Sequence, residues 1–225
     1  MGRAISADEE TALLEECLES RSRGLYTAVV VALNTGCGSQ KYVRSAGIRS
    51  ISTIARSSWA KSKTAASTGR HVPMNDRLSL ALRAWANRFP LRKAEHYVFP
   101  AEQYGQPGEK RPGTYEANPT QPIGNWKTAW KNARTAANVS CRFHDLRHSA
   151  VTRLLEGGVS FPIVASLLGW SPSTTTKMAK RYGHIGRSAH RDAVAPLDPR
   201  TNQRRGGTEV GTLPSEPEIA EAVSA

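Results

Sequence analysis

The chain has 225 residues, 39% of them hydrophobic, with a formal net charge of +12 and a pI near 10.1. This is enough for one large domain or two small ones, and the charge points to a polyanionic partner, nucleic acid first. Three cysteines (Cys17, Cys37 and Cys141) without CxxC spacing exclude a disulfide framework or a zinc site, and the lack of a signal peptide or of an apolar run of about 18 residues leads to the expectation of a soluble, cytoplasmic protein with no membrane partner.

In chain order, Ser6 to Glu9 reads as a capping box, with Asp8, Glu9 and Glu10 at the positive end of the helix. Leu13, Leu14, Cys17 and Leu18 give that helix, over 6–20, one apolar face. The segment from Leu25 to Leu33 is almost wholly apolar and predicts a central buried helix, stopped by Asn34-Thr35-Gly36. From Cys37 to Ala60 both the helical and the strand period fade. The stretch holds Lys41, Arg44, Arg49 and Arg56, no acid, and isoleucines at 48, 51 and 54, a spacing of three that no half-buried strand needs.

Order returns at Lys61. Lys63-Thr64 through Gly69-Arg70, followed by His71-Val72-Pro73-Met74, reads as a β-hairpin arm. Asn75 is placed to cap a helix whose buried side is Leu78, Leu80, Ala81, Leu82, Ala84 and Trp85. Tyr97-Val98-Phe99 predicts a short strand, and 101–122, rich in Pro, Gly, Glu, Lys and Thr, a surface loop. Trp126, Ala129, Trp130 and Ala133 recur as on one face of an amphipathic helix. From Pro196 the tail has no periodic apolar face, and 196–225 is expected to be disordered.

The stretch from Phe143 to His184 organises the rest. His144-x-x-Arg147-His148 opens a helix with Leu146, Ala150, Val151, Leu154 and Leu155 at helical spacing, stopped by Gly157-Gly158. A second short helix carries Ile163, Val164, Leu167 and Leu168 and ends at Gly169, with Trp170 just beyond it. Ser171-Pro172 opens a third, which runs to Tyr182. Between 142 and 191 eight Lys/Arg stand against two acids, Asp145 and Glu156. A cationic site with a tyrosine at its edge suits a phosphodiester substrate and a phenol nucleophile.

HxLRH, then a helix ending in LLGW, then RYGH resembles the C-terminal half of the tyrosine recombinase (phage integrase) family. The resemblance covers about 1–190 apart from 37–60. It implies an α+β fold, mostly helical, with a small antiparallel sheet, in a catalytic domain over 1–195. In that family an Arg-His-x-x-Arg-His/Trp-Tyr constellation breaks and rejoins DNA. His144, Arg147, Trp170 and Tyr182 fall on its second to fifth members. The family's hairpin lysine is matched best by Lys63, with Lys61 as runner-up; His148, Lys61, Arg70, Lys180 and Arg181 are expected to contact DNA. The chain begins where the catalytic domain begins, so a separate core-binding domain is expected to be absent and the chain to be a fragment of a longer reading frame.

The family's first arginine, in a TGxRxxE turn, is missing: Thr35-Gly36 is followed by Cys37-Gly38-Ser39, with Gly38 in its place. Back-translating Cys37 to Arg44 and regrouping the bases so that each codon takes the last base of one triplet and two of the next permits Arg-apolar-small-Glu-Ile-Arg. The missing motif is thus recoverable, and 37–60 is read as translated out of frame; a divergent insertion is the alternative.

The implied chemistry is transesterification. Tyr182 attacks the scissile phosphate to give a 3′-phosphotyrosine and a free 5′-hydroxyl, with no cofactor and no metal. Arg147 binds non-bridging oxygens, His144 accepts or donates a proton, Trp170 donates its indole N–H, and Lys63 protonates the leaving oxygen. The partners implied are double-stranded DNA and further copies of the chain in a tetrameric synapse. Without the first arginine, impaired activity is expected. The competing reading is a non-catalytic DNA-binding protein that uses its basic face alone.

Overall fold

The computed structural model describes residues 3–37, 73–93, 95–103 and 116–183, all within one compact unit, Met1–Ile185. Lys61, residues 63–72 of the expected hairpin arm with Lys63 and Arg70, the stretch 38–60 and the tail 196–225 lie outside the described residues.

Helix α1, Ala7–Leu18, starts as its sequence predicts. The Ser6 hydroxyl accepts from the Glu9 amide at 3.1 Å, and the Glu9 carboxylate accepts from the Ser6 amide at 2.9 Å, which completes the capping box. Glu9 also pairs with Arg3, and these bonds hold its carboxyl down at about 2. Helix α2, Leu25–Thr35, is buried on nearly every side, as an all-round apolar helix must be. It has no side-chain cap of its own. Glu102 supplies one from across the fold, accepting from the Gly24 amide at 2.8 Å and from the Ser22 hydroxyl, where a carboxylate also meets the positive helix end.

Helix α3, Asp76–Ala86, is capped by Asn75, whose side chain accepts from the Leu78 amide. The other end of the Asn75 side chain donates to Asn34 Oδ1 at 2.7 Å, just before the end of α2. The buried stripe of α3 is Leu78, Ala81, Leu82, Trp85 and Ala86. Leu80, 71% exposed, and Ala84, also exposed, were expected inside. They sit on the outer face, because a helix against one core buries a single stripe.

Trp85 stacks near Phe99 at 5.9 Å, Phe99 meets Trp126 edge-on at 5.2 Å, and Trp85 donates its indole N–H to the Val98 carbonyl at 2.7 Å. Strand β1 is Pro100–Gln103 rather than 97–99, and it pairs antiparallel with β2, Glu116–Pro122, inside what the sequence read as loop. Tyr97 and Phe99 still join this edge: Tyr97 N–H donates to the Pro119 carbonyl, and the Phe99 carbonyl accepts from Ile123. The register slips between Pro100 and Ala101, and β2 buries no alternating face, so no period of two announced it.

Four more helices complete the described residues: α4 Lys127–Ala136, α5 Asp145–Glu156, α6 Phe161–Leu168 and α7 Pro172–Tyr182. Helix α2 packs on α5, α3 and α1, and so forms the centre of the core. Val151, Leu155, Val164, Leu168 and Tyr182 form a smaller apolar cluster that joins α5, α6 and α7. Ile163, expected on the apolar side of α6, is 54% exposed, and Val164, Ala165 and Leu168 fill that contact instead. The buried carboxylate of Glu10 on α1 receives Arg77 of α3 at 2.5 Å and Arg153 of α5, and so ties three helices at one point.

Candidate active site at the ends of α2, α5, α6 and α7

The N-terminal end of α5 carries the site. Asp145 is buried and accepts from the Arg142 backbone amide at 2.9 Å and from its guanidinium at 2.9 Å. Burial pushes its carboxyl up, but the Arg142 hydrogen bonds and charge outweigh that and hold it below the usual value. Asp145 is therefore an anion at the helix start, where the dipole favours it. Ser149, one turn on, accepts from the Ile5 amide at 3.0 Å and fixes the approach to α1 against α5.

Arg147 points its fork at two helix C-termini. It donates to the Gly36 carbonyl, just past α2, at 2.7 Å and to the Leu168 carbonyl, the last of α6, at 3.2 Å. Both carbonyls lie at negative helix ends, so the cation is placed by charge as well as by geometry. Gly36 adopts φ 61°, and a Cβ there would run into the Leu168 side chain. The turn that presents its carbonyl therefore requires glycine. Trp170 lies 5.8 Å from the guanidinium and 5.7 Å from Phe161, held just past the left-handed cap at Gly169. It shields one side of the arginine by a cation–π contact.

Tyr182 ends α7, a helix begun by the Ser171 cap, which accepts from the Thr174 amide, and by Pro172 in the first turn. Its ring packs into the smaller apolar cluster and it is 6% exposed. The phenol oxygen is hydrogen-bonded to His148 Nδ1. Burial raises the phenol's pKa against the opposing charges of Arg181 and Arg147, so the group is protonated at neutral pH. Arg181 lies 5.8 Å from the Tyr182 ring, and Lys180 is exposed beside it.

His148, expected among the DNA contacts, is 8% exposed and faces Tyr182 instead. Burial first, then the charges of Arg181 and His144, push its imidazole down to about 4. His144 lies exposed one turn earlier, its ring 5.4 Å from that of His148, and desolvation and the Arg147 charge lower it too. The structure thus brings Arg147, His148, Trp170 and Tyr182 together and sets His144 at the rim. Two features went unseen in the sequence: the Gly36 carbonyl as acceptor for Arg147, 111 positions away, and the His148–Tyr182 bond. No linear pattern encodes either.

A pH dependence follows. A histidine with a depressed folded pKa favours the native state while neutral, so its contribution is complete above about 6.5 and is lost as pH falls through about 4. Most carboxylates remain ionised down to pH 5, so the upper part of that window belongs to the histidines. Urea unfolding of the chain should therefore show a loss of roughly 2 kcal/mol between pH 7 and pH 5, at about 1.4 kcal/mol per pH unit. In His148→Gln most of that slope should disappear.

The described helices thus gather an arginine, a histidine, a tryptophan and a tyrosine at their adjoining ends. The chain belongs to the phage integrase family, whose model matches residues 3–187. Over 88 residues it is 34% identical to an integrase of Saccharopolyspora erythraea, a match covering 39% of this chain and 19% of the relative, so the chain spans about a fifth of that protein's length. Its fold is similar to the catalytic domain of bacteriophage HP1 integrase, with a TM-score of 0.59, 18% identity, and coverage of 90% of this chain and 98% of that one. It is also similar to the Tn1549 transposon integrase solved in complex with transposon right end DNA, with a TM-score of 0.58, 16% identity, and coverage of 88% and 66%. Among the described residues no helix is long and apolar enough to cross a membrane.

Proposed function

We propose that the chain carries the catalytic domain, over 1–195, of a site-specific recombinase that cuts and rejoins double-stranded DNA through a 3′-phosphotyrosine. The observation that carries this is the convergence of Arg147, Trp170, His148 and Tyr182 at one cationic point, with the phenol within the site. Family membership and fold neighbours solved on DNA support it. Arg147 meets the non-bridging oxygens through its guanidinium, and Trp170 lends an N–H from the same side. His144 and His148 handle the proton. Lys63 is the proposed acid for the leaving 5′ oxygen, with Lys61, Arg70, Lys180 and Arg181 on the DNA backbone. Residues 37–60 are out of frame in this reading, and the first phosphate-binding arginine is lost with them. The protein works in the cytoplasm, and several copies assemble on their site.

A nicked suicide substrate tests the reading, because the nicked strand end diffuses away and traps the covalent intermediate. An adduct should map to the peptide that contains Tyr182, and Tyr182→Phe should form none while binding DNA as before. An adduct in the phenylalanine variant would identify another nucleophile. DNA binding without any adduct, by this chain and by a frame-restored one, would favour a binding protein without chemistry.

A further inference from the structure

Tyr182 and His148 are a closed pair. They are 6% and 8% exposed, their rings lie 6.1 Å apart, and the phenol oxygen is bonded to Nδ1. Helices α5 and α7 meet in the small apolar cluster that contains Tyr182. His144 stands differently. It is exposed, and among the described residues its ring makes no hydrogen bond to the phenol or to any other group. Resting on the recombinase reading above, we propose that His148, rather than His144, is the group that holds the Tyr182 hydroxyl and receives its proton at the moment of attack.

The phenol O–H bond breaks and its proton passes to the lone pair on Nδ1. The phenol oxygen forms a bond to phosphorus as the bond from phosphorus to the 5′ oxygen breaks, and that oxygen takes a proton from a separate acid or from solvent. On rejoining, the imidazolium returns the proton to the phenol. The groups that face His148 set its readiness. Arg181 on α7, His144 on the same helix and Arg142 before it disfavour the imidazolium, and Asp145 favours it. The ring is therefore neutral at pH 7, with its lone pair free to accept. A phosphodiester beside Arg147 and Arg181 cancels part of the opposing positive charge, so the acceptor becomes more basic only when a substrate phosphate is present. His144, 5.4 Å away at the rim, is left to relay the proton outward or to serve the phosphate oxygens.

The test uses the full chain labelled with nitrogen-15 at histidine. Imidazole resonances are assigned with His144→Gln and His148→Gln and followed by NMR across pH. The expected result is a neutral His148 that carries its proton on Nε2, with Nδ1 as the acceptor. In Tyr182→Phe the His148 midpoint should rise by about one pH unit, because the hydrogen bond that favours the neutral ring is gone, and His144 should move less. Addition of a duplex oligonucleotide to the parent chain should raise the His148 midpoint further. A proton on Nδ1, a midpoint indifferent to Tyr182→Phe, a larger response at His144, or bound duplex with no rise at His148 would each overturn the assignment. A spectrum wholly unmoved by duplex speaks against the recombinase reading instead, and the free-protein tautomer and the Tyr182→Phe response still decide whether His148 holds the hydroxyl.

Discussion

Joined to a core-binding domain and given a suicide DNA substrate, the frame-restored chain should form the tyrosine adduct more than about 10²–10³ times faster than the chain as written. That factor is the ordinary loss for one preorganised donor to a developing oxyanion. The geometry argues for a larger one. Arg147 commits donors to the Gly36 and Leu168 carbonyls, so a second arginine would add phosphate contacts of its own. A second arginine, at position 38 in the restored frame, would follow directly on the turn that orients the first. The restored frame should also bring back a strand-like pattern in place of the every-third spacing of Ile48, Ile51 and Ile54. Equal adduct rates from the two chains would show that 37–60 is functional as it stands. Coding DNA whose bases forbid the shifted arginine would end the frameshift idea before any assay.

Gly36→Ala should cost about 2–4 kcal/mol of unfolding free energy. Two penalties add there: a left-handed backbone at φ 61° that an L side chain resists, and a methyl group driven into the Leu168 side chain. Gly158 supplies the control. It too has a positive φ, of 79°, but a Cβ would meet nothing within 4 Å, so Gly158→Ala should cost only about 1 kcal/mol. Urea denaturation of both variants measures the difference. The Gly36 variant should also lose DNA cleavage beyond what its stability predicts, because the displaced carbonyl releases one arm of Arg147. Equal costs at the two glycines would show that the Leu168 contact relaxes freely.

Local signals in the sequence carried a good part of this fold. The Ser6–Glu9 box, the Asn75 and Ser171 caps and the apolar run of α2 each act within a few residues, so each is visible in the text and present in the structure. What failed depends on distance. Strand β2 reads Glu-Ala-Asn-Pro-Thr-Gln-Pro, with two prolines and no alternation, and only its pairing with β1 makes it a strand. Leu80 and Ala84 look apolar in text, but only the packing of α3 says which side is outside. The candidate site divides the same way. Its residue types were legible from order and spacing, yet what each side chain grips was not: Arg147 finds a carbonyl at the far end of another helix, and His148 turns inward to a tyrosine.

The Asn34–Asn75 bond has a consequence for how a gene of this kind would tolerate a change of frame. It fastens together the two ends of everything between α2 and α3, while Glu10 clamps α1, α3 and α5 from the other side. The entropy of closing a loop depends on its length, and only weakly, so the helices meet on the same terms whatever text the intervening codons spell. A pair of compensating frame changes inside that bracket would preserve length and spare both clamps, while removing the arginine expected at position 38. A lineage altered in this way would keep an intact-looking body after losing its reactivity, and resemblance of the scaffold would be a poor clock for the loss of the trade.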